Sequence, residues 1–233
     1  MASLSNYLVE FWVRRVYPRI APLIALVGAT GLGLSLVIIF LLAKLSDNVW
    51  EQEAFTFDKT ILLWIHKFAN PTLDQVMLGI THLGNPSTVI PFAILIFALL
   101  WWRCPRQQAL VFALACLGGA ILSFSLKLTF SKPRPQLWSQ LILEKTFSYP
   151  SGHALGSMVL YGFSAYLLAI NFPKKANIIY ALASFLIVAI GFSRLYLGVH
   201  WPTDIIAGYG VGFLWIIVCA TLSKLVKATK SMF

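Results

Sequence analysis

The chain has 233 residues, of which 59% are hydrophobic and only 11% charged, whereas a soluble domain is about half apolar and about a quarter charged. This composition excludes an ordinary soluble globular protein. The formal net charge is +10, but the basic residues form short clusters between apolar runs, which argues against nucleic-acid binding and fits a lipid bilayer. Because apolar segments recur from residue 22 to residue 223 without a polar linker, we predict one domain over residues 1–233.

Six apolar segments approach the length of about 20 residues that a helix needs to cross a membrane. The sequence therefore predicts an all-α integral membrane bundle of six transmembrane helices. The predicted spans are residues 22–45, 87–102, 107–130, 151–170, 177–198 and 202–223. The second span is the shortest, but it contains no charged residue.

Lysines and arginines predict the orientation of the bundle. In a six-span topology four basic clusters fall on one side of the membrane, which the positive-inside rule makes cytoplasmic. We therefore predict a multi-pass protein of the cell inner membrane or plasma membrane, with both termini in the cytoplasm. The clusters are Arg14, Arg15 and Arg19, then Arg103 and Arg106, then Lys174 and Lys175, and finally Lys224, Lys227 and Lys230.

The segment Ser46–Pro86 is predicted to be external and helical, since it is not apolar enough to span. Its apolar residues form a helical stripe that either lies on the membrane surface or packs over the outer ends of the bundle. We favour packing, because connections of this kind usually cover something. The stripe consists of Phe55, Phe57, Ile61, Leu62, Trp64, Ile65 and Phe68.

Polar residues form short clusters where the predicted helices end on the extracytoplasmic side. The clusters are residues 127–135, 149–153 and 193–204. Ionisable groups at membrane depth are costly, so they are candidates for function by default. We predict that these segments meet in one pocket. Their ionisable members include Lys127, Arg134, His153, Arg194, His200 and Asp204.

These residue types suit phosphate chemistry. Lys127, Arg134 and Arg194 can neutralise a phosphoryl dianion and the charge that develops in its transition state. Ser151 fits a helix N-cap and Gly152 allows close backbone approach, so the start of the fourth span is a predicted anion site. We therefore predict that these five residues bind phosphate.

Two histidines and a carboxylate supply chemistry that the cations cannot. Asp204 lies four residues after His200, in the first turn of the last helix, where it can fix the tautomer of the imidazole. The other nitrogen of His200 is then free to attack phosphorus. His153 is placed to protonate the leaving oxygen and then to activate water.

Each of these residues has a simpler interpretation when taken alone. A lone histidine at a helix end is usually a cap or a packing residue, and a lone arginine there more often reaches to headgroups. The conjunction on one membrane face favours a site. We interpret His66 and His82 as ordinary loop residues and Lys132 as a solvated loop lysine. We predict no metal and no cofactor, because the cations would repel a divalent ion.

The pattern K-x6-R-P, then P-S-G-H, then S-R-x5-H-x3-D resembles the signature of the type 2 phosphatidic acid phosphatases, the PAP2 family. Every position is present, in order, within residues 127–204. The stretches Phe57-Asp58 and Leu73-Asp74 are also similar to the family, though less specifically. The resemblance implies a metal-free site in which His200 is the nucleophile, Asp204 its orienting partner and His153 first acid and then base.

The resemblance also implies a substrate class. Bacterial membrane members of the family act on phosphatidylglycerophosphate, phosphatidic acid and undecaprenyl pyrophosphate, so the expected partner is a phosphorylated lipid. Soluble haloperoxidases share the signature and bind vanadate, but six lipid spans argue against that branch. Two other functions stay open, namely phosphoryl transfer to an alcohol and a transporter or scaffold that only binds anionic lipid. Neither the preferred lipid nor the oligomeric state follows from the sequence.

Overall fold

The computed structural model describes residues 17–50 and 56–230, and every regular element within them is helical. The all-helical prediction is therefore confirmed. A short 3-10 turn, Pro173–Lys175, precedes α7, and a π-helical segment, Met158–Gly162, interrupts α6. The helices are α1 (Tyr17–Trp50), α2 (Thr56–His66), α3 (Pro71–His82), α4 (Pro86–Arg103), α5 (Arg106–Phe130), α6 (Gly152–Asn171), α7 (Ala176–Tyr196) and α8 (Pro202–Lys230).

Five of the described helices, α4 to α8, are long and apolar enough to cross a membrane. They coincide with the second to sixth predicted spans to within a few residues. The first predicted span lies inside α1, which is not among the five and which leaves helical geometry at Gly28, where φ is 78°. The predicted count of six is therefore not exact. Arg14 and Arg15 of the first basic cluster lie outside the described residues.

The last helix organises the bundle, since α8 packs against α1, α5 and α6. The core that α5, α6 and α8 share contains Phe112, Phe163 and Cys219. A Cβ atom at Gly208 would lie only 2.8 Å from the carbonyl oxygen of Ser151. The absent side chain thus allows the start of α6 to lie against the second turn of α8.

The two short helices α2 and α3 pack over the ends of α7 and α8. Leu62 and Ile65 of α2 are buried, whereas the other described members of the stripe are exposed, namely Phe57, Ile61, Trp64 and Phe68. Packing over the bundle is therefore confirmed only for Leu62 and Ile65. Phe55 lies outside the described residues.

A segment without helix, residues 131–151, joins α5 to α6 across this end of the bundle. The amide of Gln140 donates to the carbonyl oxygen of Gly198 at 2.7 Å, and the Trp138 ring stacks on His66 with ring centroids 4.0 Å apart. Gly198 has a φ of 70°, a conformation that suits glycine. His66 is therefore not a loop residue as predicted. It ends α2 and holds residues 131–151 against the turn between α7 and α8.

Candidate active site

A cavity of about 440 Å³ brings together residues of all the predicted polar clusters. It lies between α4, α5 and α6, at the end of the bundle where α8 begins. Segments that are far apart in the chain therefore meet at one place. The polar side chains that line it include Lys127, Arg134, Glu144, Thr146, His153 and His200.

The first turn of α6 is directed at this cavity. Ser151 is the N-cap, and its hydroxyl accepts a hydrogen bond from the Ala154 N–H at 3.4 Å. The Ser151 N–H donates to the carbonyl oxygen of Asp204 at 3.0 Å, which ties the start of α6 to the start of α8. Ser151 itself is fully buried, and Gly152 lines the cavity in its place. The helix start thus presents backbone to a ligand at Gly152.

His200 lies in the turn between α7 and α8 and is 1% exposed. Its Nδ1 is 3.3 Å from Oδ2 of Asp204, and its Nε2 is 3.1 Å from Nη1 of Arg134. A guanidinium can only donate hydrogen bonds, so Nε2 must accept, and the ring proton is on Nδ1. Nε2 therefore has a lone pair and no proton, and the lone pair becomes free for attack only when Arg134 turns to another acceptor at the cavity.

Burial keeps this histidine neutral. It lowers the pKa of His200 to about 3, and the hydrogen bond and charge of Asp204 offset only part of the effect. Burial also lowers the pKa of Arg134, against the opposing charges of Glu144 and Asp204. Because an arginine begins from a pKa above about 12, it stays charged at neutral pH. The site therefore combines an unprotonated imidazole with an adjacent cation.

Asp204 is fully buried and holds more than the histidine. Its Oδ2 accepts from the Trp201 N–H at 2.9 Å and from the Ser148 hydroxyl. Its Oδ1 accepts from Nζ of Lys132 at 2.9 Å, which also donates to Thr203 Oγ1 at 2.9 Å. The interpretation of Lys132 as a solvated lysine is wrong, because its ammonium neutralises the buried carboxylate. Ser148 is a second contact that the sequence analysis missed.

The Lys132–Asp204 ion pair is connected to the external helix α2 through Asp58. Its carboxylate accepts from the Thr203 N–H at 3.0 Å and from the Thr203 hydroxyl at 2.6 Å, and lies 3.9 Å from Lys132 Nζ. Burial raises the pKa of Asp58, and its hydrogen bonds to Thr203 oppose the rise. The weak resemblance noted at Phe57-Asp58 thus falls on a residue that supports the first turn of α8.

Replacing Lys132 by methionine is expected to destabilise the protein by about 3 kcal/mol, because the Asp204 carboxylate loses its cation while staying buried. Denaturation in detergent, followed by a conformational probe, measures the change. Lys59→Met, at an exposed position on α2, is the matched control and should have little effect. Equal stability of the two variants would contradict a structural role for the Lys132–Asp204 pair.

The two predicted phosphate-binding arginines share one carboxylate. Glu144 pairs with Nη2 of Arg194 and lies 3.7 Å from Nη2 of Arg134. Arg194 is fully buried, its Nη1 donates to Thr81 Oγ1 at 2.8 Å, and its Nε has no hydrogen-bond partner among the described residues. Lys127 donates to the carbonyl oxygen of Phe147. The Glu144 carboxylate therefore occupies donors that suit a phosphate.

Glu144→Gln is expected to lower the melting temperature in detergent, because the buried Arg194 guanidinium loses its counter-charge. Orthovanadate or phosphate should raise the melting temperature of this variant more than that of the unmodified protein, since no carboxylate must first be displaced. Asp47→Asn, which neutralises an exposed carboxylate, is the control. An equal response of all these proteins to the anion would contradict an overlap between Glu144 and the anion site.

His153 lines the cavity through a contact that was not predicted. Its Nε2 lies 2.7 Å from Oδ1 of Asn85, the residue before α4. The amide of Asn85 also lies 2.9 Å from Nδ1 of His82. His82 is the last residue of α3, so the interpretation of it as an ordinary loop residue is wrong. Beyond His153 the cavity walls become apolar. They include Val89, Ile90, Phe124, Val159 and Leu160.

The acidic groups of the site are engaged by cations. Asp204 is paired with Lys132, and Glu144 with Arg194. Within residues 17–50 and 56–230, no three His, Cys, Asp or Glu side chains are grouped as a metal site requires. Since the carboxylates are paired and Lys127 and Arg134 line the cavity, the charged groups of the site favour an anionic ligand.

Known proteins with similar sequences share this region. Residues 108–227 match the model of the PAP2 superfamily. The chain is 30% identical over 197 residues to phosphatidylglycerophosphatase B of Bacillus subtilis, across 83% of this chain and 95% of that protein. It is 30% identical over 150 residues to an undecaprenyl-diphosphatase of Sulfolobus acidocaldarius, across 62% of this chain and 68% of that one. A crystal structure of a transmembrane PAP2-type phosphatidylglycerolphosphate phosphatase from Bacillus subtilis superposes with a TM-score of 0.76 at 28% identity, covering 82% of this chain and 96% of the other.

Proposed function

The chain belongs to the PAP2 superfamily, and from this premise we propose that it removes phosphate from a lipid through a phosphohistidine at His200. It is a multi-pass membrane protein and a lipid phosphatase. The observation that carries the proposed mechanism is the hydrogen bonding of His200, which leaves Nε2 unprotonated beside Arg134. The substrates of the similar proteins make phosphatidylglycerophosphate, phosphatidic acid and undecaprenyl pyrophosphate the lipids to test.

In the first step the phosphoryl group of the lipid displaces Glu144 and takes its place between the two arginines. Arg134, Arg194 and Lys127 neutralise its charge, and the backbone at Gly152 contributes the positive end of α6. The displaced carboxylate is one-quarter exposed and lines the cavity, so it has room to turn outward. The cations then lie where charge increases in the transition state.

In the second step Nε2 of His200 attacks phosphorus and the bond to the leaving oxygen breaks. The His200 ring gains positive charge, which the Asp204 carboxylate stabilises through the Nδ1 proton. His153 gives its proton to the leaving oxygen, which departs as the dephosphorylated lipid. The phosphoryl group is now bound to His200.

In the third step His153, now neutral, removes a proton from a water molecule that attacks phosphorus. The bond to Nε2 breaks, phosphate leaves and His153 is protonated again, so the cycle closes with one water consumed. An alcohol in place of water would give phosphoryl transfer from the same intermediate. Product analysis with an added alcohol acceptor therefore distinguishes hydrolysis from transfer.

A lipid substrate accounts for the shape of the cavity. Its cationic end carries His200 and Arg134, whereas its walls between α4, α5 and α6 are apolar. A headgroup bound at the cationic end leaves acyl or prenyl chains beside those walls, where burial of apolar surface is favourable. A small water-soluble phosphate ester would leave the walls without a contact.

We further propose that the site opens to the extracytoplasmic side. Arg103 and Arg106 lie at the junction of α4 and α5, whereas Lys127 lies near the opposite end of α5. Lys174 and Lys175 likewise lie at the end of α6 away from His153. The positive-inside rule puts the basic junctions in the cytoplasm and hence the site outside.

The test is a phosphate-release assay with purified protein in detergent, using each of the three lipids in the presence of EDTA. We expect release from at least one lipid without added metal. Rapid quenching with a substrate labelled at the transferred phosphorus should give a labelled protein that is stable to alkali and labile to acid, as a phosphohistidine is. Rapid turnover with an unlabelled protein would overturn the covalent mechanism, and no release from any of the three lipids would overturn the substrate class.

A further inference from the structure

The corner between α3 and α4, residues 81–85, belongs to none of the polar clusters, yet it contacts the site repeatedly. Thr81 accepts from Arg194, and the carbonyl oxygen of Leu83 accepts from the Tyr161 hydroxyl at 2.7 Å. A Cβ atom at Gly84 would lie 2.7 Å from Cδ2 of His153, so the corner lies directly against this ring. Asn85 then bonds the adjacent ring atom, Nε2. One edge of the imidazole is therefore fully occupied by this corner.

Asn85 and Asn70 have the same position at the start of a helix, but their side chains make different contacts. Both residues stand at the N-cap of a helix and precede a proline, at the starts of α4 and α3. The Asn70 side chain caps its helix, accepting from the Leu73 N–H at 3.0 Å. The Asn85 side chain makes no capping bond. Since asparagine is favoured at N-caps because of that bond, its absence at Asn85 indicates that the side chain serves another purpose.

The amide of Asn85 makes a second contact, with the ring of His82. The Nδ2 group is a donor only, and it lies 2.9 Å from Nδ1 of His82, which therefore accepts. The carbonyl oxygen Oδ1 is thereby turned towards His153. Because that oxygen can only accept, the Nε2 atom of His153 must carry a proton. The neutral ring then has its basic lone pair on Nδ1.

We infer that Asn85 is a positioning residue for His153, oriented in turn by His82, and that Nδ1 of His153 is the atom that transfers protons. The inference rests on the proposed function. Nδ1 has no hydrogen-bond partner among the described residues and belongs to the ring edge away from Gly84 and Asn85. During attack by His200 the ring carries a proton on both nitrogens, and the one on Nδ1 passes to the leaving oxygen; during hydrolysis the neutral ring takes a proton from water at Nδ1, which restores the starting state. The proton on Nε2 stays there throughout, donated to Oδ1 of Asn85, so one ring nitrogen performs both transfers.

The test compares Asn85→Ala, Asn85→Asp and the matched control Asn70→Ala in steady-state kinetics on the lipid that the protein hydrolyses fastest. Asn85→Ala should lower kcat by about tenfold or more, a part of what a general acid–base contributes, while KM changes little. Asn85→Asp retains an acceptor oxygen and should recover most of the loss. Asn70→Ala removes a helix cap and should leave kcat unchanged while lowering the melting temperature.

The ranking of the variants decides the question. A kcat for Asn85→Ala close to that of the unmodified protein, or no recovery in Asn85→Asp, overturns the inference. His82→Ala is the second measurement, since it alters an exposed residue and removes only the partner that orients the amide. It should lower kcat less than Asn85→Ala does, again with KM unchanged. Full activity of His200→Ala would instead contradict the proposed function, whatever the Asn85 variants show.

Discussion

Replacement of His200 by alanine is expected to abolish phosphate release, with a loss of about four orders of magnitude or more, as for the removal of other enzymatic nucleophiles. The remaining cations still bind the phosphoryl group, but no atom replaces Nε2 as the attacking group. His200 is buried, and burial lowers its pKa to about 3. Lowering the pH to a value that is still above this pKa should therefore not protonate Nε2, and should not reproduce the effect of the substitution on His200. The phosphate-release assay measures the loss directly.

The covalent intermediate separates this effect from loss of structure. Neither His200→Ala nor His200→Gln should acquire label in the rapid-quench experiment, although glutamine offers polar atoms to Arg134 and Asp204 in place of the ring. His153→Ala should turn over slowly, because it impairs both protonation of the leaving oxygen and attack by water; label retained in this variant would show that attack by water is the step that it impairs more. Labelled protein in His200→Ala, with the native melting temperature, would show that another residue is the nucleophile.

The parts of the site that the sequence could predict depend on local geometry. Asp204 lies one helical turn after His200, so their contact at 3.3 Å needs only a helix that starts near Pro202. Ser151 precedes a glycine and a long apolar helix, and it is indeed the N-cap of α6. The predicted spans from the second to the sixth depend in the same way on continuous apolar runs. Contacts between residues that are close in the sequence can therefore be predicted from the local sequence pattern.

The parts that were missed depend on tertiary contacts. Lys132 and Ser148 reach Asp204 from a segment without helix, whose path has no periodic signal in the sequence. Glu144 lies in the same segment, and nothing near it indicates that it pairs with Arg194. Asn85 has the same Asn-Pro context as Asn70, and only the fold shows that one caps a helix while the other contacts a histidine. Lys132 was predicted to be solvated because only its charge and its position in a loop were considered, and neither shows its contact with Asp204.

The number of spans illustrates a different limit. Hydropathy treats residues 22–45 as one continuous apolar run, whereas the backbone of α1 departs from the helix at Gly28. A glycine is compatible with a helix and with a positive φ, so its presence does not decide between them. What places α1 in the bundle is contact with α8, where a Cβ at Gly210 would lie 3.1 Å from the Leu42 side chain. Packing of this kind cannot be inferred from composition.

Asp204→Asn is the second substitution with a very large expected effect, although it leaves the shape of the side chain almost unchanged. An asparagine directs either its oxygen or its NH₂ group to Nδ1 of His200. Lys132 donates to one carboxylate oxygen and the Trp201 N–H to the other, so the single oxygen of an asparagine can serve only one of these two donors, and its NH₂ group meets the other. If the NH₂ group faces His200, Nδ1 must accept and the ring proton moves to Nε2.

A proton on Nε2 removes the lone pair that attacks phosphorus. The protonated Nε2 also faces Nη1 of Arg134, so that two hydrogen-bond donors oppose each other. We therefore expect kcat to fall by about 10⁴, the loss seen when a carboxylate that fixes a catalytic histidine tautomer becomes an amide. Asp74→Asn is the matched control, since that carboxylate accepts from the Tyr196 hydroxyl at 2.7 Å, away from His200. A kcat for Asp204→Asn within tenfold of the control would mean that the tautomer of His200 does not depend on Asp204.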